Sequence, residues 1–360
     1  MRVALVFPGD GESPSTRSGT PYGLASGLVA RGAEVVHVRA EPGSVQGFAA
    51  EALLTAVQLS RTAGRGHGNV LRRSRAAALC RPELGTLRSR AARRRLNGAA
   101  GIDAVLQVGT GLSVPHELPT VTHDDMTVIQ AVRHGYAEWG ALSRRSVDAR
   151  IDVQRAAYEQ AVACCVEGGW AARSLVEDYG IPPEKVHVVG VGRNREVAVT
   201  ADRDWTHPRY LFVGRDWERK NGPAVVRAFE RLRADIPEAR LDLVGGHPPV
   251  DSPGVTGHGV MRLDDPVERG RLDQLFSRAT CFVMPSLFEP FGLVFAEASA
   301  AGVPSIGTTV GGCADLLEGC GRVIDPSDEE ALLAAMLELA VPAVAERCGL
   351  RARERAKKFT

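Results

Sequence analysis

YLFVGRDWERKNGPAVVRAFERLRADIPEARLDLV, residues 210–244, decides the fold. It divides into an apolar run at 210–213, a helical stretch at 222–235 and a second apolar run at 240–244, a strand–helix–strand unit. The alternation continues downstream with helices at 266–278, 290–301 and 328–339 and strands at 281–284 and 304–308. Upstream, strands are predicted at 3–7, 34–39, 102–108, 120–122, 165–167 and 186–191, and helices at 22–31, 143–164 and 170–179. Such alternation implies parallel sheets covered on both faces. The pattern lapses over the polar stretch 192–208. This predicts an α/β fold of two doubly wound, Rossmann-like domains, 1–195 and 196–345, with a final helix at 346–360. Ligands of open sheets bind beyond the carboxyl ends of the strands, so the site is expected in a cleft between the two halves.

The chain's 360 residues suit two domains. Lys and Arg total 44 against 43 Asp and Glu, a net charge of +1 that gives no support to a general nucleic-acid binder. No run approaches the ~20 apolar residues that span a bilayer. The opening MRVALVFPG reads as a first strand rather than a signal peptide. Seven Cys without a C-x-x-C pattern point to reduced thiols in a cytoplasmic protein. One segment stands apart: residues 61–95 hold eleven Arg and a single acid, Glu83. Such a run fits a solvated helical face, or a patch for an anionic acceptor or a peripheral membrane contact. No aromatic residue interleaves the arginines, so base stacking is unsupported.

Several motifs fail on inspection. Gly190-Val191-Gly192 and Gly9-Asp10-Gly11 open like a dinucleotide fingerprint but lack its third glycine. No P-loop occurs, and no His/Cys cluster has metal-ligand spacing. Asp202-Arg203-Asp204 has the form of a metal-binding D-x-D but precedes a strand, which reads as a solvated loop. No metal and no cofactor are therefore expected.

Two segments carry chemistry. The strand at 210–213 ends in Gly214, where a missing side chain permits close backbone approach, and Arg215 and Lys220 follow before a helix. Two cations beside a helix N-terminus suit a diphosphate, and equally an ordinary charged surface. The strand at 281–284 leads into PSLFEPFGLVFAE, residues 285–297. Pro290 suits a first helical position, which would leave the amides of Phe291, Gly292 and Leu293 as free donors. On one helix, Glu289 and Glu297 would lie ~12 Å apart in rise, the reach from a sugar to a ribose across a diphosphate. Glu297 sits among Phe295, Ala296 and Ala298, so partial burial is expected.

The stretch EPFGLVFAEASAAGVPSIG from Glu289 resembles the E-x7-E signature of retaining glycosyltransferases of family 4, which have the GT-B fold. The likeness includes G-R-x4-K from Gly214, LDLVGG from Leu241 and G-G-x-x-D from Gly311, with Asp315 where the family usually has Glu. The first half matches more loosely. Gly19, within Ser18-Gly19-Thr20-Pro21-Tyr22, sits where the family's first Gly-rich loop meets its helix, and His123 resembles its strand-end His. The resemblance implies a nucleotide-sugar donor held by the second domain and a hydroxyl acceptor held by the first. Arg215 and Lys220 would neutralise the diphosphate without a metal. Glu297 would bind the ribose. Glu289 and the amides of Phe291, Gly292 and Leu293 would hold sugar hydroxyls, and His123 would orient the sugar. A nucleotide-sugar epimerase of the same fold and a non-catalytic nucleotide-sugar-binding protein are the other readings this motif set leaves open.

Overall fold

The computed structural model describes residues 1–14, 16–62, 70–114, 117–190, 192 and 203–358. They form two compact units, Met1–Val189 and Gly190–Thr360. The boundary expected at 195/196 lies outside the described residues.

The first unit holds a parallel sheet of β1 (Arg2–Phe7), β2 (Glu34–Arg39), β3 (Ala104–Val108), β4 (Thr120–Asp124), β5 (Ala163–Val166) and β6 (Val186–Val188). Its strand order is β2-β1-β3-β4-β5-β6. The second unit holds β7 (Arg209–Gly214), β8 (Arg240–Gly245), β9 (Val255–Gly259), β10 (Cys281–Val283), β11 (Ser305–Thr308) and β12 (Arg322–Ile324), in the order β12-β11-β10-β7-β8-β9. Its strands are also parallel. Helices cover the sheets because the strands carry apolar side chains on both faces. Tyr210, Leu211, Phe212, Cys281, Phe282 and Val283 are all buried, packed with Phe229, Phe276 and Phe295 from the helices.

Strand order fixes where ligands can go. In each sheet the winding reverses once, between β1 and β3 and between β7 and β10. At such a switch point, the loops leaving two neighbouring carboxyl ends turn to opposite faces and open a crevice. In the second unit those loops follow Gly214 and Val283. They are the two segments that the sequence singles out.

Several elements differ from expectation. The helix expected from Pro290 begins at Leu293, with Gly292 as its cap at φ 86°. Glu289 is instead extended, in a parallel bridge with Gly311. The ~12 Å separation along one helix therefore does not apply to Glu289 and Glu297. Helices Ser44–Thr62, Val70–Leu79 and Pro82–Asn97 fill a stretch that the sequence marks only by its charge. The edge strands β9 and β12 were not expected. The last helix, Pro342–Ala356, buries Ala345, Cys348 and Ala352 within the second unit.

Candidate active site

In the second unit, the turn after β7 is set by close packing. A Cβ on Gly222 would lie 2.1 Å from the Trp217 ring, and one on Gly214 2.9 Å from Lys220 Cγ. Neither position tolerates a side chain without a shift, so the glycines let Lys220 fold back over the strand end. The backbone amide of Leu287 donates to the Arg219 carbonyl at 2.9 Å and joins this turn to the loop after β10.

The two loops converge on one carboxylate. Lys220 Nζ donates to Glu289 Oε2. Ser286 Oγ donates to the same oxygen at 3.1 Å, and Arg219 Nη1 lies 4.0 Å from it. Arg219 also donates to the Phe288 carbonyl at 3.2 Å, its guanidinium 5.2 Å from the Phe288 ring centre. Glu289 is only 5% exposed. Burial pulls the Lys220 ammonium below its ordinary value, and Glu289 opposes that pull. The backbone explains the G-G of G-G-x-x-D: a Cβ on Gly311 would lie 1.9 Å from the Glu289 carbonyl oxygen.

The other expected residues surround this pair. Arg215 is exposed on the turn. Phe291, Gly292 and Leu293 follow Glu289, and among the described residues no protein acceptor meets their amides. Glu297 is half-buried on the helix Leu293–Ala300. Arg219 and Ser286 are the members that the sequence reading missed, although Arg219 adjoins Lys220 and Ser286 opens the quoted loop.

In the first unit, Gly19 caps the helix Thr20–Ala30 at φ 82°. Arg17 and Ser18 before it are also left-handed, at φ 47° and 56°, a costly conformation for non-glycine residues. Arg17 Nη2 meets Asp125 Oδ1 at 2.8 Å. Asp125 and neighbouring acids hold the Arg17 guanidinium above its ordinary pKa against the effect of burial. His123, near the end of β4, is 2% exposed, and its Nε2 is buried with no partner. Burial, and secondly Arg17, bring it down to about 4, so the imidazole is neutral at pH 7. Asp124 next to it accepts from Thr110 Oγ1 at 2.8 Å and Tyr158 Oη at 3.2 Å. Burial pushes this carboxyl up to about 6.

The arginine run separates by role. Arg75 pairs with Glu51, and Arg81 with Glu83. Arg88 donates to the Leu79 carbonyl at 3.2 Å, and Arg95 to the Glu41 carbonyl at 2.6 Å. Arg90, Arg93 and Arg94 line an open groove of 560 Å³ with Thr86, Ser89 and Asn97. Arg65 lies outside the described residues. So does Asp202 of the D-x-D, while Asp204 accepts from Thr206 N at 2.9 Å and Thr206 Oγ1 at 2.6 Å. Among the described residues no cluster of three potential metal ligands occurs, and no helix is long and apolar enough to cross a membrane.

Residues 207–341 match the family model described as Glycosyl transferases group 1, in line with the resemblance that the E-x7-E stretch carries. Alpha-maltose-1-phosphate synthase of Mycobacterium tuberculosis is 31% identical over 198 residues, 49% of this chain and 50% of that protein. D-inositol 3-phosphate glycosyltransferase of a Nocardioides species is 32% identical over 189 residues, 44% of this chain and 41% of that one. The chain thus spans about half the length of the curated relatives it matches. Among solved structures, sucrose-phosphate synthase from Thermosynechococcus elongatus superposes with a TM-score of 0.67 at 20% identity, covering 99% of this chain and 94% of that one. WaaG, a glycosyltransferase involved in lipopolysaccharide biosynthesis, superposes at 0.63 with 17% identity, covering 99% and 95%. The fold is GT-B.

Proposed function

We propose that the chain is a retaining glycosyltransferase of family 4 that moves a hexose from a nucleoside-diphosphate sugar to a hydroxyl acceptor. The observation that carries this reading is the meeting of Lys220, Arg219, Ser286 and Glu289 at the β7/β10 switch point, with open backbone amides beside them. Lys220, released from Glu289, and Arg215 neutralise the diphosphate, so no metal ion and no further cofactor are needed. Glu289 and the amides of Phe291, Gly292 and Leu293 receive sugar hydroxyls, and Glu297 takes the ribose. His123, neutral and with Nε2 unpartnered, has the hydrogen-bonding capacity that the resemblance assigns to the transferred sugar. In the transfer, the bond from the anomeric carbon to the diphosphate oxygen breaks and the acceptor oxygen bonds on the same face. The acceptor proton passes to the leaving phosphate oxygen, so no protein nucleophile is required.

The reading places the protein in the cytoplasm, in accord with its free thiols. The groove of Arg90, Arg93 and Arg94 is proposed as a peripheral contact with anionic lipid headgroups. The test of the activity is release of nucleoside diphosphate from donor and acceptor, with the product's anomeric configuration read by NMR. Retention and a rate unchanged by EDTA are expected. Inversion, or loss of activity that added Mg²⁺ restores, overturns the scheme.

A further inference from the structure

Two cations share the buried carboxylate of Glu289. Its Oε2 accepts from Lys220 Nζ and, at 3.1 Å, from the buried Ser286 Oγ. Arg219 Nη1 lies 4.0 Å from the same oxygen. Among the described residues these two are the cations within ion-pair distance of it. The Cys313 thiol is close enough to feel the carboxylate, but burial pushes it up to about 12, so it is uncharged at pH 7.

The two cations are held differently. Arg219 does not depend on the carboxylate for its place. Its Nη1 donates to the Phe288 carbonyl at 3.2 Å, its guanidinium carbon lies 5.2 Å from the Phe288 ring centre, and its Nε lies 3.5 Å from Asp216 Oδ2. Its backbone amide donates to Asp216 Oδ1 at 3.3 Å, and its carbonyl accepts from the Leu287 amide at 2.9 Å. Among the described residues the Lys220 ammonium meets Glu289 alone. Burial lowers that ammonium from its ordinary value, Glu289 opposes the change, and the charge of Arg219 adds to it. An incoming anion therefore draws away Lys220, the cation with one partner, and leaves Arg219, the cation with several. What remains is a buried carboxylate, and without a counter-ion it would oppose binding. A shift of ~1 Å brings Arg219 Nη1 from 4.0 Å to charge-assisted hydrogen-bond distance of the same oxygen, while Ser286 keeps its bond. A guanidinium suits this exchange because it stays charged and has donors beyond the one at Phe288.

We propose that Arg219 is a positioning residue that takes over Glu289 when Lys220 turns to the donor's diphosphate, so that the carboxylate stays ionised and in place for the sugar. The proposal rests on the donor assignment for what Lys220 receives, and on the geometry of the second unit for the exchange of partners. The probes are uridine, guanosine and adenosine diphosphates, titrated calorimetrically into the whole chain. Arg219→Met should weaken the nucleotide that binds by roughly tenfold or more, because binding then strands Glu289. Arg219→Lys, which keeps a cation beside Oε2, should restore most of that loss. In a Glu289→Gln background, where no carboxylate is stranded, Arg219→Met should change affinity by less than about twofold. A direct contact of Arg219 with the diphosphate would cost the same in both backgrounds, and that outcome overturns the proposal, as does wild-type affinity in Arg219→Met. If Arg219→Met unfolds, Arg219→Gln is carried through the same cycle. A second arm needs no nucleotide. Lys220→Met leaves Glu289 to Arg219, so adding Arg219→Met to it should lower stability in urea by more than the two single variants together. Additive losses overturn the exchange whatever the nucleotides do. Failure of all three nucleotides to bind wild type, with non-additive losses in urea, would instead overturn the donor assignment and leave Arg219 as the reserve counter-ion of Glu289.

Discussion

At the scale of single residues, the central contact is the ion pair of Lys220 with Glu289, carried on the loops that follow the neighbouring strands β7 and β10. If Arg215 and Lys220 hold the diphosphate as proposed, loss of either removes a charge-assisted hydrogen bond worth ~1.5–3 kcal/mol. Arg215→Ala and Lys220→Ala should therefore each weaken nucleoside-diphosphate affinity about ten- to hundredfold in calorimetry. The glutamates should differ in kind. If Glu297 takes the ribose as proposed, Glu297→Ala removes a contact to a part of the donor that does not react, and should raise KM with little change in kcat. If Glu289 meets the sugar as proposed, its charge helps most as positive charge develops, and Glu289→Ala should lower kcat more than it raises KM. Equal signatures in steady-state kinetics would refute that division. His123 gives a pH test. Its folded-state value of about 4 lies below the ordinary 6.5, so between those values the unfolded chain binds the extra proton. Its contribution is complete above pH 6.5 and is lost as pH falls towards 4, up to ~3 kcal/mol. Asp124, raised from 3.8 to about 6, works the other way: the folded state holds the proton across that window. In His123→Gln that loss is removed while every other titrating group is shared with wild type, so denaturant midpoints should fall less than those of wild type between pH 6 and 4. A variant that tracks the wild-type profile would show that His123 does not titrate as described.

Among the elements, what was legible follows from burial. β7 and β10 are apolar on both faces and read directly as strands. β9 is an edge strand with exposed Thr256, Gly257 and His258, and β12 opens on Arg322 and buries only Ile324, so neither leaves a hydrophobic signature. The helix expected at Pro290 starts three residues later because Glu289 is drawn into its bridge with Gly311. That competition between local propensity and a tertiary contact is invisible to periodicity. It makes Gly311 the residue on which the loop depends. Gly311 has φ 120° and no room for a side chain against the Glu289 carbonyl. Gly311→Ala should cost at least ~2 kcal/mol in chemical denaturation and weaken donor binding with it. Wild-type stability in that variant would mean that the bridge is easily rearranged.

For the whole molecule, two alternating patterns of strand and helix were readable as two Rossmann-like halves. Their strand orders were not, since order is a property of crossovers rather than of any segment. The arginine run shows the same limit. Its charge was plain, yet only the fold assigns Arg75, Arg81, Arg88 and Arg95 to internal partners and leaves Arg90, Arg93 and Arg94 on the groove. Replacing those three by Gln should reduce binding to acidic vesicles at low ionic strength, and added salt should do the same to wild type. Wild-type protein that ignores such vesicles would return the groove to ordinary solvated surface. A last consequence follows from the buried lysine that meets its own carboxylate. If Lys220 receives the diphosphate as proposed, the site carries an internal competitor, so a visiting anion gains only the difference between its charge and that of Glu289. A monoanion such as chloride gains almost nothing by displacing it, whereas a diphosphate, with more charge and more oxygens, does. The pair thus acts as a threshold that holds the site closed to common salts without blocking it by shape.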